Sequence, residues 1–303
     1  MSKKYPPIYS AISPNILGVR PSDRTIRLPD NNPVPLPNRE GDGGIRGNTV
    51  LISFQSIEHL TDTRRQDHIC LEQNAVHLWG IKLDGAQRCL ERCTGWLDEV
   101  ERHQAARLVR EDTRQRYVLA HGGLRMVLSR YLDVDPDRIT LDRSAIGKPF
   151  LARELRDRST ITFNLSHAHD RALIAVSKAQ EVGVDLELVR SHVEVAKLSE
   201  RYFTRSEHTA IMQAPEDQRA TRFFRYWVGK EALLKAQGIG LRGLSDCEIF
   251  LEANEVGRDV QARLGAQFPH TLRVRLLPCE QGWEAAVAAQ NLDLVQQYGF
   301  EQQ

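Results

Sequence analysis

The sequence predicts an α+β protein, and three observations carry that prediction. Apolar and polar residues alternate at 76–83, 160–167 and 171–189, the period of strands. Apolar residues recur three and four apart between 97 and 131 and again between 219 and 237, the period of helices. Turn chemistry separates these stretches at short intervals, as at Gly147-Lys148-Pro149 and at Gly238. With 303 residues, 41% hydrophobic and 27% charged, the chain can build a substantial core or two domains. A formal charge of +1 argues against a dedicated nucleic-acid binder. No apolar run reaches membrane-spanning length and no hydrophobic leader follows Met1, so no membrane partner is expected. Five cysteines without a C-x-x-C pair suggest neither a disulfide framework nor a zinc site, and point to a reducing cytoplasm.

Taken in order, residues 1–48 hold eight of the thirteen prolines and the run Gly41-Asp42-Gly43-Gly44, which reads as an extended or disordered arm. Residues 49–75 form an N-terminal extension, with a short strand at 49–54. A compact domain begins with the strand Val76–Leu83. In the helix that follows, Tyr117, Ala120, Leu124, Val127, Leu128 and Tyr131 form the apolar stripe, while Arg114, Arg116 and Arg125 lie off it and read as solvated. Cys89 and Cys93, four apart, share a helical face as small apolar fillers. A short strand at 139–141 leads to the constrained loop of Lys148. The strand Thr160–His167 places Ile161, Phe163 and Leu165 on one face and Thr162, Asn164 and Ser166 on the other, with His167 at its exit. Arg171–Ser177 and Val182–Val189, joined by four residues, are expected to form an antiparallel hairpin. Helical sequence from Val193 to Met212 is interrupted near Tyr202-Phe203-Thr204, where Thr204 and Glu207 form a capping box. The helix Arg219–Gln237 stops at Gly238. Strands follow at 247–251, 271–277 and 283–288, the last two as a hairpin, and residues 291–303 read as a tail.

The most informative strand is Val182–Val189. Strand geometry puts Gly183, Asp185 and Glu187 on one side and Val184, Leu186 and Leu188 on the other. A lone D-x-E is most simply a solvated edge. Two carboxylates on one face repel unless a cation lies between them, and a hard divalent ion with oxygen ligands is the usual solution. Glu231 and Lys235 share a helical face one turn apart, most simply as an exposed ion pair.

The combination of Gly183-Val184-Asp185-Leu186-Glu187 with Trp227-Val228-Gly229-Lys230-Glu231-Ala232-Leu233-Leu234-Lys235 resembles the paired signature of 4'-phosphopantetheinyl transferases. The resemblance extends through Gly147-Lys148-Pro149, Phe163-Asn164-Leu165-Ser166-His167 and the helix of Arg116, over roughly residues 76 to 290. It is closest to the larger, two-lobed surfactin-synthetase-activator type. Val228 departs from it, standing where the family usually has serine, threonine or cysteine. The resemblance implies two pseudo-symmetric lobes, each a small antiparallel sheet with helices, placed at 76–178 and 179–290, with coenzyme A in the cleft between them. It implies Asp185, Glu187 and Glu231 as Mg²⁺ ligands, and Lys148 and Arg116 as contacts to the nucleotide phosphates of coenzyme A. His167 would contact the diphosphate, Lys235 a further phosphate, and Lys230 also fits the motif.

The implied reaction is attack by a serine hydroxyl of an apo acyl or peptidyl carrier protein on the β-phosphate of coenzyme A, releasing 3',5'-ADP. Phosphoryl transfer needs positioning and neutralisation of developing charge, which is what acidic metal ligands and surrounding cations supply. Glu231, Lys235 and His167 are the expected catalytic groups, with Glu231 as base either directly or through a metal-bound water. The expected molecule is a monomer. Two other readings use the same residues: a non-catalytic module that binds coenzyme A or a carrier, and a metal-dependent hydrolase that releases phosphopantetheine into solution. Product analysis separates all three.

Overall fold

The computed structural model describes residues 52–62, 69–252, 256–265 and 272–298, so the arm at 1–48 lies outside the described residues. The chain opens with β1 (Gln55–Ser56), α1 (Ile57–Asp62) and β2 (Val76–Lys82). Three helices follow, α2 (Gln87–Trp96), α3 (Glu99–Ala106) and α4 (Glu111–Leu132), so the helical stretch read from 97 to 131 is broken before 111. Next come the small hairpin of β3 (Leu141–Arg143) and β4 (Pro149–Leu151), the single turn α5 (Arg153–Arg156), and the strands β5 (Ile161–Ala168) and β6 (Arg171–Lys178). The second half runs β7 (Val182–Leu188), α6 (Val195–Tyr202), α7 (Arg205–Met212), α8 (Arg219–Gln237), β8 (Cys247–Phe250), β9 (Asp259–Leu264), β10 (Arg273–Leu277) and β11 (Trp283–Ala289). Last is β12 (Val295–Tyr298), a strand inside the stretch read as a tail.

Two five-stranded sheets result. One has the order β1-β2-β6-β5, with β12 also on β2; the other has β7-β11-β10-β9-β8. The halves repeat one plan. In each, a strand (β2, β7) precedes a long helix (α4, α8), then a short strand pair, then a hairpin (β5–β6, β10–β11) whose second strand pairs antiparallel with the first strand. The first sheet is not purely antiparallel, because β12 runs parallel to β2 along Val76–Trp79 and β1 runs parallel to it at Ile81–Lys82. Tyr298 stacks on His77 with ring centroids 3.9 Å apart, which seats β12 on the first lobe.

The sheets lie back to back. Val76, Leu78, Leu173 and Ala175 of the first meet Val182, Val184, Leu186, Ala285 and Val287 of the second in a shared apolar core. On the outer face of the first sheet Trp79, Ile81, Ile174 and Val176 pack with residues of α2 and α4. On the outer face of the second, Val274, Ala286 and Ala288 pack with residues of α8. The result is four layers, helices, sheet, sheet and helices. Strands with apolar residues on both sides, such as the Arg171–Lys178 run, are those buried on both faces.

The hairpin expected between β6 and β7 does not form. β6 pairs with β5 and β2, while β7 pairs with β11 in the other sheet. The link between them turns at Ala179, whose φ of 60° is left-handed, and Gln180 fixes the crossing. Its side-chain amide donates to the carbonyls of Asn74 and Asn291 and its oxygen accepts the Asn291 N–H. A buried side chain that ties three backbone groups of distant segments holds the passage between lobes in one conformation.

Candidate active site

The site begins with a strand edge completed by side chains. On the side of β7 away from β11, the Val184 N–H donates to Asn164 Oδ1 at 2.9 Å and the Leu186 N–H to Ser166 Oγ at 3.3 Å. Asn164 and Ser166 of β5 thus replace a missing ladder and join the two sheets at the Phe163–His167 block. Ser166 Oγ in turn donates to Asp185 Oδ1 at 2.8 Å.

Gly183 brings the helix in. A Cβ there would lie 2.1 Å from the Ala232 carbonyl oxygen and 2.4 Å from the Ala236 nitrogen, so only glycine lets α8 rest directly on β7. Glu231 and Lys235 immediately precede those two alanines in sequence. Lys235 Nζ lies 2.6 Å from Asp185 Oδ1 and 3.2 Å from Ser166 Oγ. Glu187 pairs with Arg190 at 3.2 Å. Asp185 and Glu187 are both 4% exposed, and the Asp185 Oδ2 atom is buried without a hydrogen-bond partner among the described residues.

The electrostatics follow from crowding acids in a dry place. Burial raises the Asp185 carboxyl against the pull of Lys235. Burial and then the charge of Asp185 push Glu187 to about 8. Burial, opposed by Lys235 and reinforced by Asp185, pushes Glu231 to about 7. Burial disfavours the Lys235 ammonium, yet Asp185, Glu231 and Glu187 together lift it above the ordinary lysine value. His167 is pressed down to about 3 by burial, His121 and Lys235. Three crowded acids therefore share two nearby cations, Lys235 and Arg190. Among the described residues no three carboxylate, imidazole or thiol groups converge closely enough to ligate one ion. The donor set nevertheless suits a hard cation: it is all oxygen, and one Asp185 oxygen is buried and, among the described residues, unshared.

Lys148 reaches this region from the other lobe. Gly147, with φ 89°, closes the β3–β4 loop. From it Lys148 Nζ extends to Glu181 Oε2 at 2.9 Å and to the carbonyls of Val182 and Ala236 at 3.4 and 3.5 Å. It lines a cleft of about 870 Å³ between the lobes, with Phe150, Arg156 and Thr162 on one side and Gln180, Gln237 and Leu272 on the other.

One expected environment changes, and two motif residues lie away from the carboxylates. Arg125 is not solvated: it is 1% exposed and pairs with Glu101 and Asp98. Lys230 is not brought to the carboxylates, because its fully buried ammonium pairs with Glu207 at 2.6 Å on the far side of α8 and stands over the Phe203 ring. Arg116 lies on α4, 3.8 Å from Asp112, and no described contact links it to the carboxylate cluster. Val228 is fully buried in the core beneath α8, where an aliphatic side chain fits. Glu284 was not anticipated. It stands directly across from Glu187 on β11, is 7% exposed, and pairs with Arg225 of α8 at 3.1 Å. A single acid in the otherwise apolar run Trp283–Ala289 was its available signal.

A strand of paired acids roofed by a helix bearing an acid and a lysine, beside an interlobe cleft, is the frame of an enzyme that handles a charged phosphate ester. Residues 86–179 match the family model described as 4'-phosphopantetheinyl transferase, N-terminal, and residues 181–288 match that of the 4'-phosphopantetheinyl transferase superfamily. The chain is 36% identical over 188 residues to 4'-phosphopantetheinyl transferase HetI of Nostoc sp., covering 62% of this chain and 79% of that one. It is 27% identical over 169 residues to 4'-phosphopantetheinyl transferase Sfp of Bacillus subtilis, covering 55% and 72%. It is 31% identical over 188 residues to the L-aminoadipate-semialdehyde dehydrogenase-phosphopantetheinyl transferase of Xenopus laevis, covering 53% and 62%. The chain belongs to the 4'-phosphopantetheinyl transferase superfamily, in its larger, Sfp-type branch, and is a transferase that moves phosphopantetheine from coenzyme A to a carrier protein.

Proposed function

We propose that coenzyme A occupies the interlobe cleft with its diphosphate at the carboxylate cluster, and that the acceptor is a serine of an apo acyl or peptidyl carrier protein. The observation that carries this reading is the seating of α8 on β7 through Gly183, which sets Lys235 against Asp185 at 2.6 Å. Asp185, Glu187 and Glu231 are the residues that would hold Mg²⁺. Bound there, the ion would screen the diphosphate and stabilise charge developing on its oxygens.

The chain's own groups account for the remaining steps. Lys235, held by Asp185 and Ser166, presents an ammonium to phosphate oxygens and to the leaving 3',5'-ADP. Lys148, from the opposite lobe, adds a second cation and exchanges Glu181 for the incoming nucleotide. His167 donates from Nε2, which has no partner among the described residues. Glu231 takes the serine proton at a carboxylate oxygen, a task suited to an acid raised toward neutrality. Both lobes of one chain furnish the site, so the enzyme works as a monomer. Five free cysteines suit the reducing cytoplasm, and none of the described helices is long and apolar enough to cross a membrane.

The test is intact mass measurement of a panel of apo carrier proteins incubated with this enzyme, coenzyme A and Mg²⁺. Each accepted carrier should gain one phosphopantetheine, and the gain should vanish when a chelator removes the ion. No gain on any carrier would defeat the proposal, and free phosphopantetheine in solution would point to hydrolysis.

A further inference from the structure

Outside the carboxylate cluster the structure holds a second buried polar assembly, and it reaches the site through His167. Glu101 is 1% exposed and sits at the third position of α3, where it caps the helix with Asp98. One of its oxygens lies 2.7 Å from the Arg125 guanidinium, and the other accepts His121 Nδ1 at 3.0 Å. That bond fixes the imidazole in the ring plane it adopts. The His121 ring stacks on Tyr117 at 4.0 Å and meets the His167 ring edge-on at 6.4 Å, while Tyr117 meets His167 at 6.3 Å.

Two features of this assembly call for an anion. Among the described residues the buried Nε2 atom of His167 has no hydrogen-bond partner, and His121, whose Nδ1 is committed to Glu101, has its Nε2 free for a ligand. The acids are also already matched. Glu101 and Asp98 face two guanidiniums, Arg125 at 2.7 and 2.9 Å and Arg143 at 4.0 and 3.6 Å. An incoming negative group at the imidazoles therefore meets no uncompensated carboxylate. A carboxylate that orients a histidine so that its other nitrogen serves a ligand is a recurrent device in protein sites.

We propose that His121 is a phosphate-binding residue that acts beside His167, and that Glu101, pinned by Arg125, is its positioning residue. The ligand chemistry is a phosphate of coenzyme A, which rests on the placement of coenzyme A in the cleft. Two phosphates qualify, the 3'-monoester and the diphosphate.

The experiment is steady-state transfer to an apo carrier by the full chain and by His121→Asn and His121→Gln, with coenzyme A and with 3'-dephospho-coenzyme A. The asparagine amide can keep the bond to Glu101 but has nothing at the Nε2 position, whereas glutamine places an N–H there. His121→Asn should raise KM for coenzyme A about tenfold, the loss of one charge-assisted hydrogen bond, with kcat unchanged. His121→Gln should recover most of that loss, and the melting temperatures of both variants should stay near wild type. If the rise disappears with the dephospho substrate, the phosphate is the 3'-monoester; if it persists, it is the diphosphate. An unchanged KM on both substrates, or equal losses in both variants that follow a fall in melting temperature, would overturn the proposal. Wild-type transfer measured alongside keeps that result separate from a failure of the coenzyme placement itself.

Discussion

The two lobes share one plan and use it differently, and the contrast is sharpest where each long helix covers its first strand. In the ladders Val76 of β2 occupies the place of Val182 of β7, so the helix-facing positions His77, Trp79 and Ile81 correspond to Gly183, Asp185 and Glu187. In the first lobe Trp79 Nε1 donates to the Tyr131 hydroxyl of α4 at 2.9 Å, and that hydroxyl also meets His77 Nδ1 at 2.9 Å. These polar groups bond to one another within a cluster of aromatic rings. In the second lobe the equivalent face carries acids against Lys235, with one Asp185 oxygen left over. Beneath this difference both lobes keep the same anchor. A capping-box glutamate, Glu101 or Glu207, pairs with a buried cation of the long helix, Arg125 or Lys230. One copy of the scaffold is spent on rigidity and the other on charge, so the polar face is held by elements that need not change when substrate binds.

Equivalent substitutions test that contrast. Asp185→Ala removes the partner of Lys235 and an expected metal ligand, and should lower turnover by about 10³-fold or more, read by carrier mass gain. Trp79→Phe, at the matching position of the first lobe, should lower the melting temperature and leave turnover intact. Undiminished activity of Asp185→Ala in saturating Mg²⁺ would remove Asp185 from the ligand set.

The anchors should respond in stability. Lys230→Met strands the buried Glu207 carboxylate, which still accepts the Thr204 and Ile249 N–H groups, and should cost about 3–5 kcal/mol in urea unfolding. Replacing both partners with apolar residues should recover part of that loss. The folded fraction should bind coenzyme A as wild type does. A raised KM with unchanged stability would instead put Lys230 in contact with the coenzyme.

What the sequence made legible is what local chemistry decides. The helix Arg219–Gln237, its stop at Gly238, the break at Thr204 with its capping box, and the alternation of Val182–Leu188 all appear where the residues place them. Partnerships across the chain were not legible. The short link between β6 and β7 suits a hairpin, and nothing local reveals that Gln180 instead ties the link to Asn74 and Asn291. Arg125 lies off the apolar stripe of its helix, as a solvated arginine would, and only the presence of Glu101 24 positions away shows otherwise. The motif lysines Lys230 and Lys235 look interchangeable in sequence, but they lie on different sides of α8, one facing Glu207 and the other Asp185. Glu284 joins the acidic face only through the β7–β11 register.

The smallest expected effect concerns the closed lobe. His77 is 1% exposed, and burial, partly offset by a hydrogen bond with Gln296, lowers its pKa from 6.5 to about 4. The folded protein therefore keeps this imidazole neutral where the unfolded chain protonates it, so the unfolded state binds more protons between about pH 6.5 and 4. Stability from this residue is complete above pH 6.5 and is lost as pH falls toward 4, by an amount on the order of 2–3 kcal/mol. Its stacking partner is Tyr298, so the C-terminal strand should loosen with it. Urea unfolding midpoints measured from pH 7.5 to 4 should decline through this window in wild type and decline less in His77→Gln, which cannot take up the proton. Parallel slopes in the two proteins would show that the acid sensitivity arises elsewhere, and the lobes would then differ in charge without differing in how their buried polar groups are closed.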